Sequence, residues 1–197
     1  LTPGPSKSEN NPLQDIARSL QPIDSPIFIA GAAPGLIDHY AQRLASQGLT
    51  VLRGGGDGAA TAGQGGGLSR PHNVAQAQKQ LGPAVQAKTL FVAGGPMAGV
   101  LVAGDLSMAA TGTVTIVDED RVIGFGHPFL GRGTSALPLA QAEIVTTLAS
   151  LSGSFKISAL GDRVGQFVQD RSVAVVGQVG QRAPIVDVDV RLDGTAR

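Results

Sequence analysis

From residue 88 onward the chain is written in short runs of apolar and β-branched residues, separated by glycines and polar turns, which is the pattern of strands rather than helices. The clearest is a hairpin. Thr113, Thr115 and Val117 alternate with Val114 and Ile116, the acidic triplet Asp118, Glu119 and Asp120 makes a polar turn, and residues 121–125 climb back as an apolar strand. The pattern breaks at Gly126-His127-Pro128. Further strands are predicted over residues 88–93, 99–103, 144–148, 155–159, 164–168, 173–176 and 185–192. In the last of these Val186, Val188, Val190 and Leu192 share one face while Asp187, Asp189 and Arg191 share the other. Residues 139–151 carry a conflict: their Ala, Gln and Glu content favours helix, whereas Ile144-Val145-Thr146-Thr147 favours strand, so strand is assigned to the second half. So many short segments at such close spacing predict a small β-barrel or half of a double barrel.

The preceding part reads differently. Residues 1–11 are rich in Pro, Ser and Asn and form a lead-in, and Leu13, Ile16, Ala17 and Leu20 fall at helical spacing before Pro22. Residues 26–30 then read as a strand, Leu36, Ile37, Tyr40, Ala41 and Leu44 share a helix face, Gly48 suits the helix C-terminus, and residues 49–52 read as a second strand. This strand-helix-strand order predicts a small α/β layer. Residues 54–67, GGGDGAATAGQGGG, predict a mobile surface loop, because they offer little to bury against the entropy of ordering so many glycines. A second loop and helix run to about residue 86. The chain therefore divides into a lead-in with a short helix (1–22), a small α/β segment with a glycine-rich loop (23–87) and a β-rich region (88–197).

Composition narrows the function classes. A hydrophobic share of 42% excludes a wholly disordered chain. Only 15% of residues are charged and the formal net charge is zero, so the electrostatic footprint of a nucleic-acid or anionic-membrane binder is missing. The chain has no cysteine, which rules out disulfides, thiolate zinc sites and a cysteine nucleophile within it. No apolar run reaches the roughly 18 to 20 residues that span a bilayer. No basic start with an apolar core reads as a signal peptide. The chain opens at Leu1 without an initiator methionine and is read as a processed product or a fragment.

The candidate chemistry centres on His127. A histidine placed where a strand stops, between a glycine and a proline, has a fixed backbone and a ring able to face a cleft. The plainer reading is a hairpin-end histidine with local hydrogen bonds. His39 lies in the predicted helix and His72 in a loop, neither with partners at metal-ligand spacing, so no metal site and no cofactor are expected. Two acids compete to orient the His127 ring. Asp170 follows strand 164–168 at a Gln-Asp-Arg corner, and Asp105 precedes the hairpin; either also reads as a turn carboxylate, and Asp170 could pair with Arg171 or Arg163. Ser135 and Ser152 have glycines nearby and are weighed as nucleophiles, but both read better as loop serines. Gly54-Gly-Gly-Asp-Gly lacks the Gly-Lys-Ser/Thr of a phosphate loop. Gly31-Ala-Ala-Pro-Gly35 lacks the Gly-x-Gly-x-x-Gly of a dinucleotide turn.

Several of these stretches occur together in one order. Gly104-Asp105-Leu106-Ser107, Gly112-Thr113-Val114-Thr115, Gly124-Phe125-Gly126-His127-Pro128, Ser154-Phe155-Lys156 and Gly165-Gln166-Phe167-Val168-Gln169-Asp170-Arg171 resemble the SpoIVB peptidase family, bacterial serine peptidases of the chymotrypsin-like clan. The resemblance runs over residues 96–192. It implies a mainly β (α+β) fold, with a chymotrypsin-like β-barrel portion preceded by the small α/β segment. It implies peptide-bond hydrolysis through an acyl-enzyme, with His127 as general base; Asp170 is taken as the orienting acid from its place after strand 164–168. It implies a protein or peptide substrate, possibly the protein itself, in an extracytoplasmic setting, periplasmic or secreted. It also implies a nucleophile in a Gly-Met-Ser-Gly-Ser-like motif, which these 197 residues do not contain. The expectation is then that the serine comes from a segment outside this chain, as when the serine motif lies ahead of the histidine half in a permuted barrel. The alternative is a non-catalytic relative, a binding or scaffolding domain in which His127 is structural. A weaker third is a small-molecule or sugar-binding β-domain that uses the glycine-rich loop.

Overall fold

The computed structural model describes residues 26–46, 49–54, 86–149 and 154–191, and they are mainly β. The lead-in with its helix, Gly48, His72, Ser152 and nearly all of the glycine-rich loop lie outside the described residues. Strand β1 (Ile27–Ala30), helix α1 (Pro34–Ala45) and strand β2 (Val51–Arg53) form the expected strand-helix-strand unit, with β1 and β2 parallel. Pro34 starts α1, where its missing N–H is one of the donors a helix start leaves unpaired anyway. Of the helix face expected to be buried, Ile37 is buried, Tyr40, Ala41 and Leu44 are half-buried and Leu36 is exposed. The unit is not set apart, because β1 also pairs antiparallel with β4 and so joins the main sheet.

Seven further strands complete that sheet: β3 (Pro96–Val102), β4 (Ser107–Asp118), β5 (Arg121–Gly124), β6 (Gly133–Thr134), β7 (Pro138–Leu148), β8 (Phe155–Asp170) and β9 (Val175–Val179). Hydrogen-bonded neighbours run β4–β3–β7–β8–β9–β5, and β5 pairs back onto β4 through the Asp118↔Arg121 hairpin. The enclosed face carries the main core, including Met97, Val114, Val122, Phe125, Phe129, Leu139, Phe167, Val175 and Val179. Alternation along the strands turns the remaining small residues outward. Ala98, Val100, Ala109 and Ala140 form a second, smaller core with half-buried Ala142 and Leu160.

The far half of the β7–β8 ribbon closes over that second core. Register shifts between Ala140 and Ala142 and between Ile144 and Thr146 bend the ribbon. The bend brings Ser158 of β8 into a hydrogen bond with Thr111 of β4, and Lys156 Nζ donates to Thr113 Oγ1 at 2.7 Å.

Some sequence expectations are corrected. Residues 88–93 are not a strand: helix α2 (Ala87–Leu90) forms there, because Ala87 and Phe91, four apart, bury on one face and the Phe91 N–H closes on Ala87 O at 2.8 Å. The helix-prone half of 139–151 is strand as well, since Leu139 and Ala140 pair with Gly99 and Ala98 and are buried between β3 and β8. Segments 155–159 and 164–168 are one strand, β8, and the segment expected at 173–176 is shifted to β9 (Val175–Val179), leaving Val173 exposed. Residues 185–191 are described but belong to no strand.

Candidate functional site

The site is built at the corner that follows β5. Gly124 ends the strand opposite Val114, with no room for a Cβ against the Met97 sulfur and the Thr113 carbonyl. The Phe125 N–H then donates to Thr113 O at 2.9 Å, and the chain turns through two successive left-handed residues, Phe125 (φ 70) and Gly126 (φ 74). A left-handed non-glycine residue costs about 1–2 kcal/mol. Ring packing offsets that cost. Phe125 is buried edge-on to Phe167 (centroids 5.8 Å apart, planes at 89°), tilted on Phe129 at 5.7 Å, and lies over Gly112, where any side chain would overlap the ring. Phe167 and Phe129 lie in the same way over Gly99. The glycines of β3 and β4 are thus the floor of an aromatic cluster, and the cluster holds the corner.

His127 comes next. Its ring is half-buried and meets Phe125 edge to face at 5.9 Å and 72°. Nδ1 lies 2.8 Å from the carbonyl oxygen of Pro128. A carbonyl only accepts, so Nδ1 carries the proton, and in the neutral ring the basic lone pair belongs to Nε2.

Asp170, at the end of β8, is 2% exposed and accepts three main-chain N–H groups: Phe129 on Oδ1 at 2.8 Å, and Leu130 and Gly131 on Oδ2 at 2.6 and 2.8 Å. Such charge-assisted bonds are the strong kind. They fix the loop that leaves His127-Pro128 before it reaches β6, which itself pairs with β8 at Gly133↔Asp170. His127 thus stands at the start of the loop that the Asp170 carboxylate anchors. The bonds described for them run from the imidazole to the Pro128 carbonyl and from the carboxylate to the main chain beyond it. Arg171, weighed as an ion-pair partner for Asp170, instead donates from Nε to Gln169 at 3.3 Å.

The other candidates lie elsewhere or do other work. Asp105 is exposed in the β3–β4 turn, its carbonyl packed so closely against Gly31 (φ 79) that a Cβ there would overlap it. That contact accounts for Gly31 without a nucleotide. His39 is exposed on α1 beside Tyr40. Ser135 is half-buried after β6, its N–H donating to Val168 O at 3.2 Å and its Oγ accepting weakly from Leu137 N–H at 3.5 Å. Sequence reasoning missed the three N–H donors around Asp170 and the left-handed Phe125. Main-chain donors carry no side-chain signature; the available hint was an acid closing the apolar strand 164–168.

Among the described residues no group of three His, Asp or Glu side chains is placed to hold a metal ion, and no helix is long and apolar enough to cross a membrane. No protein-family model, curated protein or solved structure matches the chain.

Proposed function

We propose that this protein is the histidine-bearing part of a serine endopeptidase resembling the SpoIVB family, acting on a protein or peptide substrate outside the cytoplasm. The observation that carries the reading is the Nδ1 to Pro128 carbonyl bond, 2.8 Å long, which assigns the basic lone pair of His127 to Nε2 on a loop anchored by Asp170. The cycle of six paired strands supports a chymotrypsin-like barrel as the scaffold.

In this mechanism Nε2 of His127 accepts the proton of a serine hydroxyl as its oxygen attacks the substrate carbonyl carbon. The resulting Nε2–H is given to the leaving amine as the peptide C–N bond breaks, and an acyl-enzyme remains. A water then repeats the sequence, losing its proton to Nε2 and releasing the acid. The Pro128 carbonyl holds the ring in one tautomer, and Asp170 acts as a positioning residue through the loop backbone. The serine is supplied by a segment outside this chain. A second reading, a binding or scaffolding domain, rests on the same geometry: a histidine bonded to its neighbour's carbonyl and a carboxylate turned to the main chain also make a stable hairpin end.

The longer protein carrying this chain should react with a fluorophosphonate probe, and His127→Ala should abolish the labelling. Absence of labelling in the parent protein favours the binding domain; labelling that survives His127→Ala removes His127 as the base.

A further inference from the structure

The backbone of the corner after β5 calls for glycine at two places and has it at one. Phe125 (φ 70) and Gly126 (φ 74) are both left-handed. Glycine enters that region readily, whereas a bulky residue there is a genuine outlier. A Cβ at Gly126 would meet nothing within 4 Å among the described residues, so conformation alone accounts for that glycine. At residue 125 the less strained choice is absent, and an aromatic ring stands in its place.

That ring makes contacts on two sides. Towards the barrel it lies over Gly112, tilts on Phe129 and meets Phe167 edge to face, with only 8% of the residue exposed. Phe129 and Phe167 also meet each other, at 6.5 Å and 80°, so the three rings close a triangle in which none turns without moving the others. Towards the loop the same Phe125 ring meets the half-buried His127 imidazole at 5.9 Å and 72°. Ring pairs of this kind have a preferred geometry as well as a buried area. The loop is tied to the same triangle, because the main-chain N–H of Phe129 donates to Asp170 Oδ1.

The Pro128 and Phe125 contacts of the His127 ring do different work. The bond from Nδ1 to the Pro128 carbonyl sets which nitrogen carries the proton, but a bond at one atom does not set the tilt of the ring plane. The Phe125 contact limits that tilt, and with it the direction of the Nε2 lone pair. We propose that Phe125 is a positioning residue for His127. Its ring, locked in the aromatic triangle, orients the imidazole, and the left-handed backbone at 125 is what sends the Phe ring into the barrel and brings His127 round onto it. The proposal rests on the reading of His127 as a general base, for which a misplacement of about 1 Å costs on the order of a hundredfold in rate.

Spectra of ¹⁵N-histidine-labelled protein give the His127 tautomer, and side-chain couplings give its χ1 rotamer, both without any activity. Phe125→Leu should keep the parent's circular dichroism spectrum, yet turn the Nδ1–H form of neutral His127 into a mixture of tautomers and average its rotamers. Phe91→Leu, which removes a buried ring elsewhere in the same core, should leave both as in the parent. In the longer protein, fluorophosphonate labelling should slow roughly tenfold or more with Phe125→Leu and stay near the parent rate with Phe91→Leu. Should Phe125→Leu fail to fold, Phe125→Met fills the space without a ring and carries the same test. A tautomer and rotamer kept in the ringless variant would overturn the proposal, as would equal changes in Phe91→Leu. A parent protein that never labels would remove the base reading, while the spectra still decide whether Phe125 orients the ring.

Discussion

The carboxylate of Asp170 accepts the N–H of Leu130 at 2.6 Å, joining the end of β8 to a loop 40 residues earlier in the chain. With the bonds from Phe129 and Gly131 it satisfies three donors at once, in a place where Asp170 itself is almost wholly buried. Asp170→Ala leaves these donors without their carboxylate, and a buried donor left unsatisfied costs about 1–3 kcal/mol. Asp170→Asn keeps one acceptor oxygen and should cost less. Urea denaturation of the two variants checks this; an alanine variant within about 1 kcal/mol of the parent would mean that the loop is held by something else.

Gly112 and Phe125 form a second such pair. A methyl group at residue 112 would overlap the Phe125 ring, and that ring is pinned between Phe129 and Phe167, so it cannot move aside freely. Gly112→Ala should destabilise by about 1–3 kcal/mol, as overpacked cores do. Adding Phe125→Leu should return part of that loss, although Phe125→Leu alone is destabilising. A double-mutant cycle in which the two costs simply add would show that they do not touch.

These two pairs explain what the sequence made legible. The β4–β5 hairpin was readable because its alternation, its acidic turn and its strand ends are local properties, and the turn falls at Glu119 and Asp120 within the expected acidic triplet. The strand-helix-strand unit was readable for the same reason. Residues 139–143 were not, because their helix-favouring composition is overruled by pairing with β3 and β8, partners 40 to 44 and 16 to 26 residues away. The same limit applies to the site. His127 stood out as the residue ending an apolar strand, whereas the work of Asp170 depends on main-chain donors that only the folded loop collects. Residues 185–191 carry a strand's pattern without a strand partner among the described residues, since alternation records which faces differ and not which neighbour covers them.

The bond from His127 to the Pro128 carbonyl predicts a specific tautomer. In the neutral ring the proton should reside on Nδ1, with Nε2 unprotonated, because the carbonyl oxygen 2.8 Å away can accept but not donate. Long-range proton–nitrogen correlation spectra of ¹⁵N-histidine-labelled protein distinguish the two nitrogens, and His127→Gln assigns the signals. A neutral His127 protonated on Nε2 would contradict the geometry and remove the basis for its role as a base through that atom.

The ribbon's closure over the small second core rests in part on one hydroxyl pair, Thr111 of β4 with buried Ser158 of β8. Removing one hydroxyl strands the other in a place water reaches poorly, so Thr111→Val and Ser158→Ala should each destabilise by about 1–3 kcal/mol. Removing both leaves no orphan. The double variant should therefore lie closer to the parent than the two single losses added together predict, and its stability could equal the parent's, since apolar groups of similar shape then meet Ala98 and Ala109 of the same core. Chemical denaturation of the four proteins yields the coupling energy. A coupling near zero would mean that the hydroxyls are solvated separately and that the ribbon is held by its apolar contacts and by Lys156 on Thr113 alone.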